Sequence, residues 1–206
     1  MATAISPHYT AEMFPNGMTL DEKIAIFEDR VRGWQLNQAE SLLRNDPHSA
    51  FAAMHIALSY FESIAKFRHG HRGINKNGHS KRYFRLGFEW VFDDIKKKLP
   101  DKLVREAVLN RLYDKARSGL YHAGITGAGF AITANIPHVL EIQEDGWMVL
   151  NPHILVNTLN FHLSMYVREL RNPANIQLRK CFEYRFDWLS EEEPKDEESC
   201  ENPSED

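Results

Sequence analysis

The chain has 206 residues, of which 43% are hydrophobic and 26% charged; this composition excludes the disordered, fibrous and membrane-spanning classes and predicts one globular domain. It has two cysteines, so we expect neither disulfides nor thiolate zinc sites. We see no secretory signal and no apolar run near the roughly 18 residues of a membrane span. We therefore expect a cytoplasmic protein without membrane association. The net charge of -4 is uneven, because residues 191–206 hold nine acids against one lysine and residues 1–190 therefore carry +4.

The predicted architecture is mainly α. We expect a helical-bundle domain over residues 19–190, with a small antiparallel β-hairpin or meander inserted near 129–150. An N-terminal extension covers 1–18, and the acidic segment 191–206 is expected to be a disordered tail because it has too little apolar surface to bury.

Helices dominate the N-terminal half of this domain. Thr19-Leu-Asp-Glu22 matches a capping box, in which each side chain satisfies the backbone amide of the other residue, and predicts a helix from about Leu20 to Leu43. Asp46-Pro47 combines an N-cap with a proline at the first helical position, and it predicts a second helix that ends at Gly70. Apolar residues cover most of the circumference of this second helix, which indicates a central, buried position.

A loop and two more helices follow. Residues 69–80 contain three glycines and no apolar period, which predicts a loop. A third helix is predicted from Lys81 to Lys98, and a fourth from Lys102 to about Ala116. Pro100-Asp101 lies between them, where it ends one helix and caps the next.

The C-terminal part combines strands with helices. An Asp145-Gly146 turn and three alternating segments predict the hairpin or meander. The three segments are Phe130–Thr133, Val139–Ile142 and Trp147–Leu150. A helix is predicted from Asn151-Pro152 to about Arg171, and a last helix from Asn175 to Leu189, although aromatic alternation in this last segment also fits a strand.

Arg117 and His122 follow the fourth helix and pair a permanent cation with a titratable base. A guanidinium matches phosphate oxygens, and an imidazole exchanges protons near neutral pH. Residues five apart lie roughly 140° apart around an ideal helix, so convergence on one phosphate needs a bend or a symmetric partner. Gly119 permits such a bend. The pair therefore points to RNA cleavage.

Arg117, Ser118 and His122 match the Arg-x4-6-His motif of the HEPN superfamily, in which a polar residue commonly follows the arginine. The chain resembles this family of helical-bundle proteins over about residues 20–171, although a hairpin follows the motif where the simplest members have their final helix. The resemblance implies a metal-independent endoribonuclease without a cofactor, in a toxin-antitoxin, defence or stress setting. It also implies a homodimer and a cognate antitoxin or nucleotidyltransferase partner. Other family members are inactive modules, so a non-catalytic protein that binds RNA, a nucleotide or a protein partner is the alternative.

The resemblance implies a role for each motif residue. His122 would act as base on a ribose 2′-hydroxyl or as acid at the leaving oxygen, and Arg117 would stabilise charge on the phosphate. Ser118 would orient the phosphate or His122. Asp114, one turn before Arg117, is a candidate ion-pair partner for the guanidinium.

A polar stripe on the second helix contains a further candidate. Its members are His55, Ser59, Glu62 and Lys66, at helical spacing. We consider Glu62 a supporting residue that faces the motif across the bundle, and the alternative is a solvated stripe.

Residues 66–85 contain seven lysines and arginines, three histidines and no acid. This segment suggests RNA contact through Arg68, Arg72, Lys76, Lys81 and Arg82, with three interleaved aromatic rings, Phe67, Tyr83 and Phe84, available to stack bases. The alternative is a solvated loop that meets the acidic tail, and the tail in turn is a candidate autoinhibitor.

Two groups of side chains are expected to have other roles. His69, His71 and His79 lie among glycines that give no rigid ligand geometry, so we predict no metal site. The four tryptophans, Trp34, Trp90, Trp147 and Trp188, are expected to be core or interface anchors.

Overall fold

The computed structural model of the chain describes residues 3–46, 48–71, 79–120 and 126–190. Within these ranges it is mainly α-helical with a small three-stranded sheet, as predicted. Several predicted features lie outside the described residues: His122, Arg72, Lys76, Pro47 and the acidic segment 191–206.

The first helical rod has three parts: α1 (Leu20–Arg30), a π-helical segment π1 (Val31–Leu36) and α2 (Asn37–Asn45). The predicted capping box is confirmed, because the Glu22 amide donates to the Thr19 hydroxyl at 3.3 Å and the Thr19 amide donates to the Glu22 carboxylate at 2.7 Å. The wider turn in the middle of the rod was not predicted. There the Gly33 carbonyl accepts a hydrogen bond from the Gln38 side chain at 3.0 Å.

The second helix, α3 (Ala50–His69), begins later than predicted. Its N-cap is Ser49, and the Asp46 carboxylate accepts instead from the His48 amide at 2.8 Å. Asp46 therefore forms a local turn ahead of the helix rather than capping it. The predicted end is confirmed, because Gly70 adopts the left-handed conformation, with φ of 60°, that favours glycine.

The predicted third helix is divided into α4 (His79–Val91) and α5 (Ile95–Lys98), with a turn between them. Next come α6 (Lys102–Leu112), which is capped by Asp101 through the Val104 amide at 3.0 Å, and a second π-helical segment, π2 (Tyr113–Ser118).

Gly119, which was considered as a residue that permits a bend, does not bend the chain at its own position. Gly119 has right-handed helical angles, φ of -59° and ψ of -51°, and continues the helix. The change in helical geometry occurs within π2 instead, where the Lys115 carbonyl accepts from the Gly127 amide at 2.8 Å. An outside donor therefore satisfies a carbonyl in the widened turn.

The sheet contains β1 (Phe130–Ile132), β2 (Leu140–Ile142) and β3 (Met148–Leu150). The hairpin of β2 and β3 is antiparallel and confirms one prediction. A meander is wrong, because β3 is the central strand and pairs with β1 in parallel. The chain between β1 and β2 thus crosses to the far side of β3.

Two long helices complete the described fold, namely α7 (Pro152–Arg171) and α8 (Ile176–Ser190). The predicted cap of α7 is confirmed, since the Asn151 side chain accepts from the amides of His153 and Ile154 at 3.0 and 3.2 Å. The strand alternative for the last segment is wrong. Its buried residues include two adjacent pairs one turn apart, Cys181-Phe182 and Arg185-Phe186, and adjacent residues share a buried face in a helix but point to opposite faces in a strand.

Helix α3 is central to the bundle and packs against α2, α4, α7, α8 and both π-helical segments. Its closest neighbour is α4, because a Cβ atom added at Gly87 would lie 1.9 Å from the Phe61 carbonyl oxygen. Only glycine allows the two backbones to approach so closely. None of the helices in the described ranges has the length and apolar composition that a bilayer crossing requires.

We predict that Gly87→Ala lowers the free energy of unfolding by about 2 kcal/mol or more, although alanine favours helix over glycine. The added methyl group meets backbone, which cannot move aside without shifting a whole helix. Urea denaturation measures the change, and Leu103→Ala, at a helical position that is 78% exposed, is the control. A Gly87→Ala protein as stable as the control would contradict the close approach.

Candidate functional site

Arg117 of π2 and Glu62 of α3 form an ion pair across the bundle. The Arg117 Nη2 atom lies 3.1 Å from Glu62 Oε2, and the two side chains are 19% and 9% exposed. Glu62 therefore faces the motif arginine, as expected from its place on the polar stripe. Asp114 has a different partner from the one predicted, since its carboxylate pairs with Lys81 at 2.7 Å.

The Glu62 carboxylate is surrounded by donors. Its Oε1 atom accepts from Lys66 Nζ at 2.6 Å and from the Ser80 hydroxyl at 3.0 Å, while Oε2 accepts from Arg117. Burial alone would raise the pKa of Glu62, but the Lys66 and Ser80 hydrogen bonds and the Arg117 charge hold this pKa below its ordinary value. The carboxylate is therefore ionised at neutral pH.

A third cation approaches the same carboxylate from α8. The buried Arg185 donates from Nη1 to the His71 carbonyl at 2.8 Å, and its guanidinium lies 4.4 Å from the centre of the Trp188 ring. Burial lowers the pKa of Arg185 to about 10, against the opposing influence of Tyr83 and Glu62.

Among the described residues, this largely buried cluster therefore contains three cations, Lys66, Arg117 and Arg185, around the Glu62 carboxylate. The pKa of Lys66 lies below its ordinary value, mainly because the side chain is buried; Glu62 raises this pKa, and the nearby charges of Arg185 and Arg117 offset part of that effect. A net positive charge in a partly desolvated setting favours an anion nearby.

Arg117 also lines a cleft of about 260 Å³. Its walls come from three elements of the bundle: Trp34 and Gln35 from π1, Arg117 from π2, and His55, Ile56, Leu58 and Ser59 from α3. Both π-helical segments thus open onto one cleft over the central helix. Single π-helical turns occur frequently at functional sites, where they re-aim side chains that a regular helix would point elsewhere. This cleft is the candidate site.

The predicted polar stripe of α3 is divided between the cleft and the interior. His55 is exposed and lines the cleft with Ser59, whose hydroxyl donates to the Ile56 carbonyl at 2.7 Å. Glu62 and Lys66 are buried beneath Arg117. The stripe is therefore neither wholly solvated nor wholly internal, and it connects the cleft to the buried cluster.

The basic segment does not join the cleft in the part of the chain that the structure describes. Arg68 lies over the Trp90 ring at 4.1 Å, Lys81 pairs with Asp114, and Arg82 lies on α4. The three aromatic rings predicted to stack on bases, Phe67, Tyr83 and Phe84, are only 6%, 4% and 0% exposed, so that prediction is wrong. Their burial follows from packing at the α3, α4 and α8 contacts, where Phe67 stacks on Phe182 with ring centres 5.5 Å apart.

The remaining predicted residues have simple placements. Ser118 is half-buried and ends π2 beside Arg117. The rings of His71 and His79 lie 5.8 Å apart, and His71 also packs against Tyr83 at 4.7 Å. In the described ranges no group of three or more side chains is arranged to hold a metal ion.

Trp34 and Gln35 were not predicted as site residues. Trp34 was expected to anchor a core or an interface, and its 51% exposure rules out the core. The only hint in the sequence is its polar surroundings, Arg32-Gly-Trp-Gln35, since π-helical geometry leaves no periodic signal.

Comparisons of this chain with protein-family models, with curated proteins and with solved structures give no match.

We predict that Glu62→Gln lowers the free energy of unfolding by about 3 kcal/mol, because it leaves the buried Lys66 and Arg185 and the partly buried Arg117 without their carboxylate. Glu40→Gln is a matched control, since Glu40 also pairs with the cation four residues on, Arg44, but in an exposed setting. That variant should lose less than about 1 kcal/mol. Equal losses in the two denaturation curves would contradict the importance of burial.

Acid should remove this contribution of Glu62. A carboxylate whose pKa is lowered in the folded protein stabilises it at pH values above its ordinary value of 4.5, and this stabilisation is lost as pH falls through the folded pKa. The difference in unfolding free energy between wild type and Glu62→Gln should therefore be constant from pH 8 to 6 and shrink below the ordinary pKa of 4.5. A difference that grows on acidification would refute the assignment.

Proposed function

We propose that this chain is a metal-independent endoribonuclease similar to HEPN proteins, acting on cytoplasmic RNA in a defence, toxin-antitoxin or stress setting. The observation that carries the proposal is the position of Arg117. It lies where the cationic cluster around the Glu62 carboxylate meets the cleft over the central helix.

The cleavage step needs a proton acceptor, a proton donor and a cation. The ribose 2′-oxygen attacks the adjacent phosphorus, and the bond from phosphorus to the 5′-oxygen breaks. His122 accepts the 2′-hydroxyl proton or supplies the proton that the 5′-oxygen takes up, and water carries the other of these two protons. Arg117 binds the phosphate oxygens on which negative charge develops, and Ser118 orients the phosphate or His122. The products are a 2′,3′-cyclic phosphate and a 5′-hydroxyl.

Glu62 supports this chemistry as a positioning residue. A buried carboxylate that accepts from Lys66, Ser80 and Arg117 restricts the guanidinium to one orientation. Arginine side chains lose considerable rotamer freedom when they bind a phosphate. Fixing Arg117 in the unliganded protein lowers that cost, so the cation is ready where charge develops.

The proposal includes a homodimer in which each subunit contributes a motif, together with a cognate antitoxin or nucleotidyltransferase partner. Phe51, one turn before His55 on α3, is 45% exposed and gives an apolar contact point close to the cleft. A symmetric contact there would bring two cationic clusters near one RNA strand.

A second candidate function is a non-catalytic module that binds RNA, a nucleotide or a protein. The ion pair between Arg117 and Glu62 favours this second candidate, because the Arg117 side chain is only 19% exposed and is already bonded to a carboxylate, as in many ion pairs that serve only stability. Turnover distinguishes the two candidates.

We predict that the wild-type protein cleaves single-stranded RNA in EDTA and leaves DNA of the same sequence intact, because DNA lacks the attacking hydroxyl. Arg117→Ala and His122→Ala should each reduce the cleavage rate by roughly a hundredfold or more. Arg117→Ala keeps Glu62 paired with Lys66 and Ser80, so the variant should fold.

Arg168→Ala, at an exposed arginine of α7, is the control and should cleave at the wild-type rate. The 2′,3′-cyclic ends are identified by mass spectrometry. Tight RNA binding with no cleavage would favour the module, and cleavage that needs a divalent metal would refute the mechanism.

A further inference from the structure

We infer that the cleft between π1 and π2 binds one unpaired nucleobase, stacked on Trp34 and read by Gln35, with the adjoining phosphate at Arg117. This inference rests on the proposed function, since it takes the cleft as the place where RNA lies. It goes further by naming the part of the RNA that the protein recognises.

The stacking surface is the Trp34 indole. Trp34 is 51% exposed and makes no aromatic contact with the described residues. By contrast, Trp188 is only 7% exposed. Trp90 packs against the rings of His162 and Tyr166, with ring centres 4.6 and 5.1 Å apart. An exposed indole face beside a cation is the arrangement with which proteins hold single-stranded nucleic acid. Trp34 thus supplies the stacking role that the three rings buried in the bundle do not.

The reading group is the Gln35 carboxamide. It offers a donor and an acceptor on one planar group, which is the pattern that pairs with a base edge. Gln35 lines the cleft and makes no side-chain hydrogen bond within the described ranges. Ser59 also lines the cleft, and because its hydroxyl donates its proton to the Ile56 carbonyl, it can offer a ligand only an acceptor.

The size of the cleft limits the ligand. Its volume of about 260 Å³ lies below the range of about 300–1,000 Å³ that drug-sized molecules occupy, so one heterocycle fits and a dinucleotide cofactor does not. Ile56 and Leu58 provide an apolar floor for a flat ring. A paired base cannot stack on Trp34, since both of its faces are covered in a duplex, and the ligand is therefore an unpaired nucleotide.

Binding of uncleavable probes tests the inference without relying on catalysis. The probes are 2′-O-methyl octauridylate, 2′-O-methyl octaadenylate and an abasic ribose-phosphate chain of the same length. We expect at least one base-bearing probe to bind roughly tenfold more tightly than the abasic chain, and Trp34→Ala to abolish that difference. Trp34→Phe should retain most of it, and Gln35→Ala should change the preference between the two bases. Trp147→Ala, at a tryptophan that is 43% exposed and lies outside the cleft, is the matched control and should bind as wild type does.

Each result decides one point. Equal binding of abasic and base-bearing probes, or an unchanged base preference in Trp34→Ala, overturns the inference even if the protein cleaves RNA. Base-dependent binding by a protein that never cleaves RNA supports the inference and refutes the proposed activity.

Adenosine and uridine 5′-monophosphates distinguish the source of the bound base. Binding as tight as that of the octamers indicates a free nucleotide as the ligand, and weaker binding indicates a strand. A Trp34→Ala variant that changes only the oligomeric state would assign the indole to a protein interface and overturn the inference.

Discussion

The buried carboxylate of Glu62 is the constraint on which the arrangement of the site depends. It lies on the central helix and binds Lys66 of the same helix, Ser80 at the start of α4 and Arg117 of π2. A buried charge is stable only while its partners remain in place. Loss of any one partner lowers the free energy of unfolding, because it leaves buried charge without full compensation. The carboxylate therefore ties three segments of the bundle to one point. It also binds Arg117, which lines the cleft.

The two π-helical segments determine what else reaches that cleft. A regular helix distributes its side chains at 3.6 residues per turn, whereas a π turn inserts an extra residue and rotates the side chains that follow. A π turn weakens the regular backbone hydrogen bonding of the helix. In each segment, a donor from outside the segment binds one of its carbonyl groups. Gln38 binds the Gly33 carbonyl in π1, and the Gly127 amide binds the Lys115 carbonyl in π2. The combination suggests that the widened turns are maintained for the side chains they present.

Local signals in the sequence predicted much of the fold and little of the site. The capping box at Thr19, the Asn151 cap and the Gly70 terminus are each defined by a few neighbouring residues, and all three are present. The parallel pairing of β1 with β3 was missed because it depends on where a long connection crosses. Likewise, the contact between Glu62 and Arg117 joins residues 55 apart in sequence. Its polar stripe suggested a position facing the motif, but the competing Asp114 was closer in sequence and pairs with Lys81. The π turns have no periodic signature, so Trp34 and Gln35 were not predicted.

The central claim is that Glu62 acts through Arg117 to prepare the site for phosphate chemistry. A double-mutant cycle on RNA cleavage in EDTA tests it most directly, with Glu62→Gln, Arg117→Lys and the double variant compared at neutral pH. The account predicts strong non-additivity, in which the double variant is no slower than Arg117→Lys alone, because the carboxylate has no effect once the guanidinium that it orients is gone. Independent losses that multiply in the double variant, or a wild-type protein with no cleavage to lose, would contradict it.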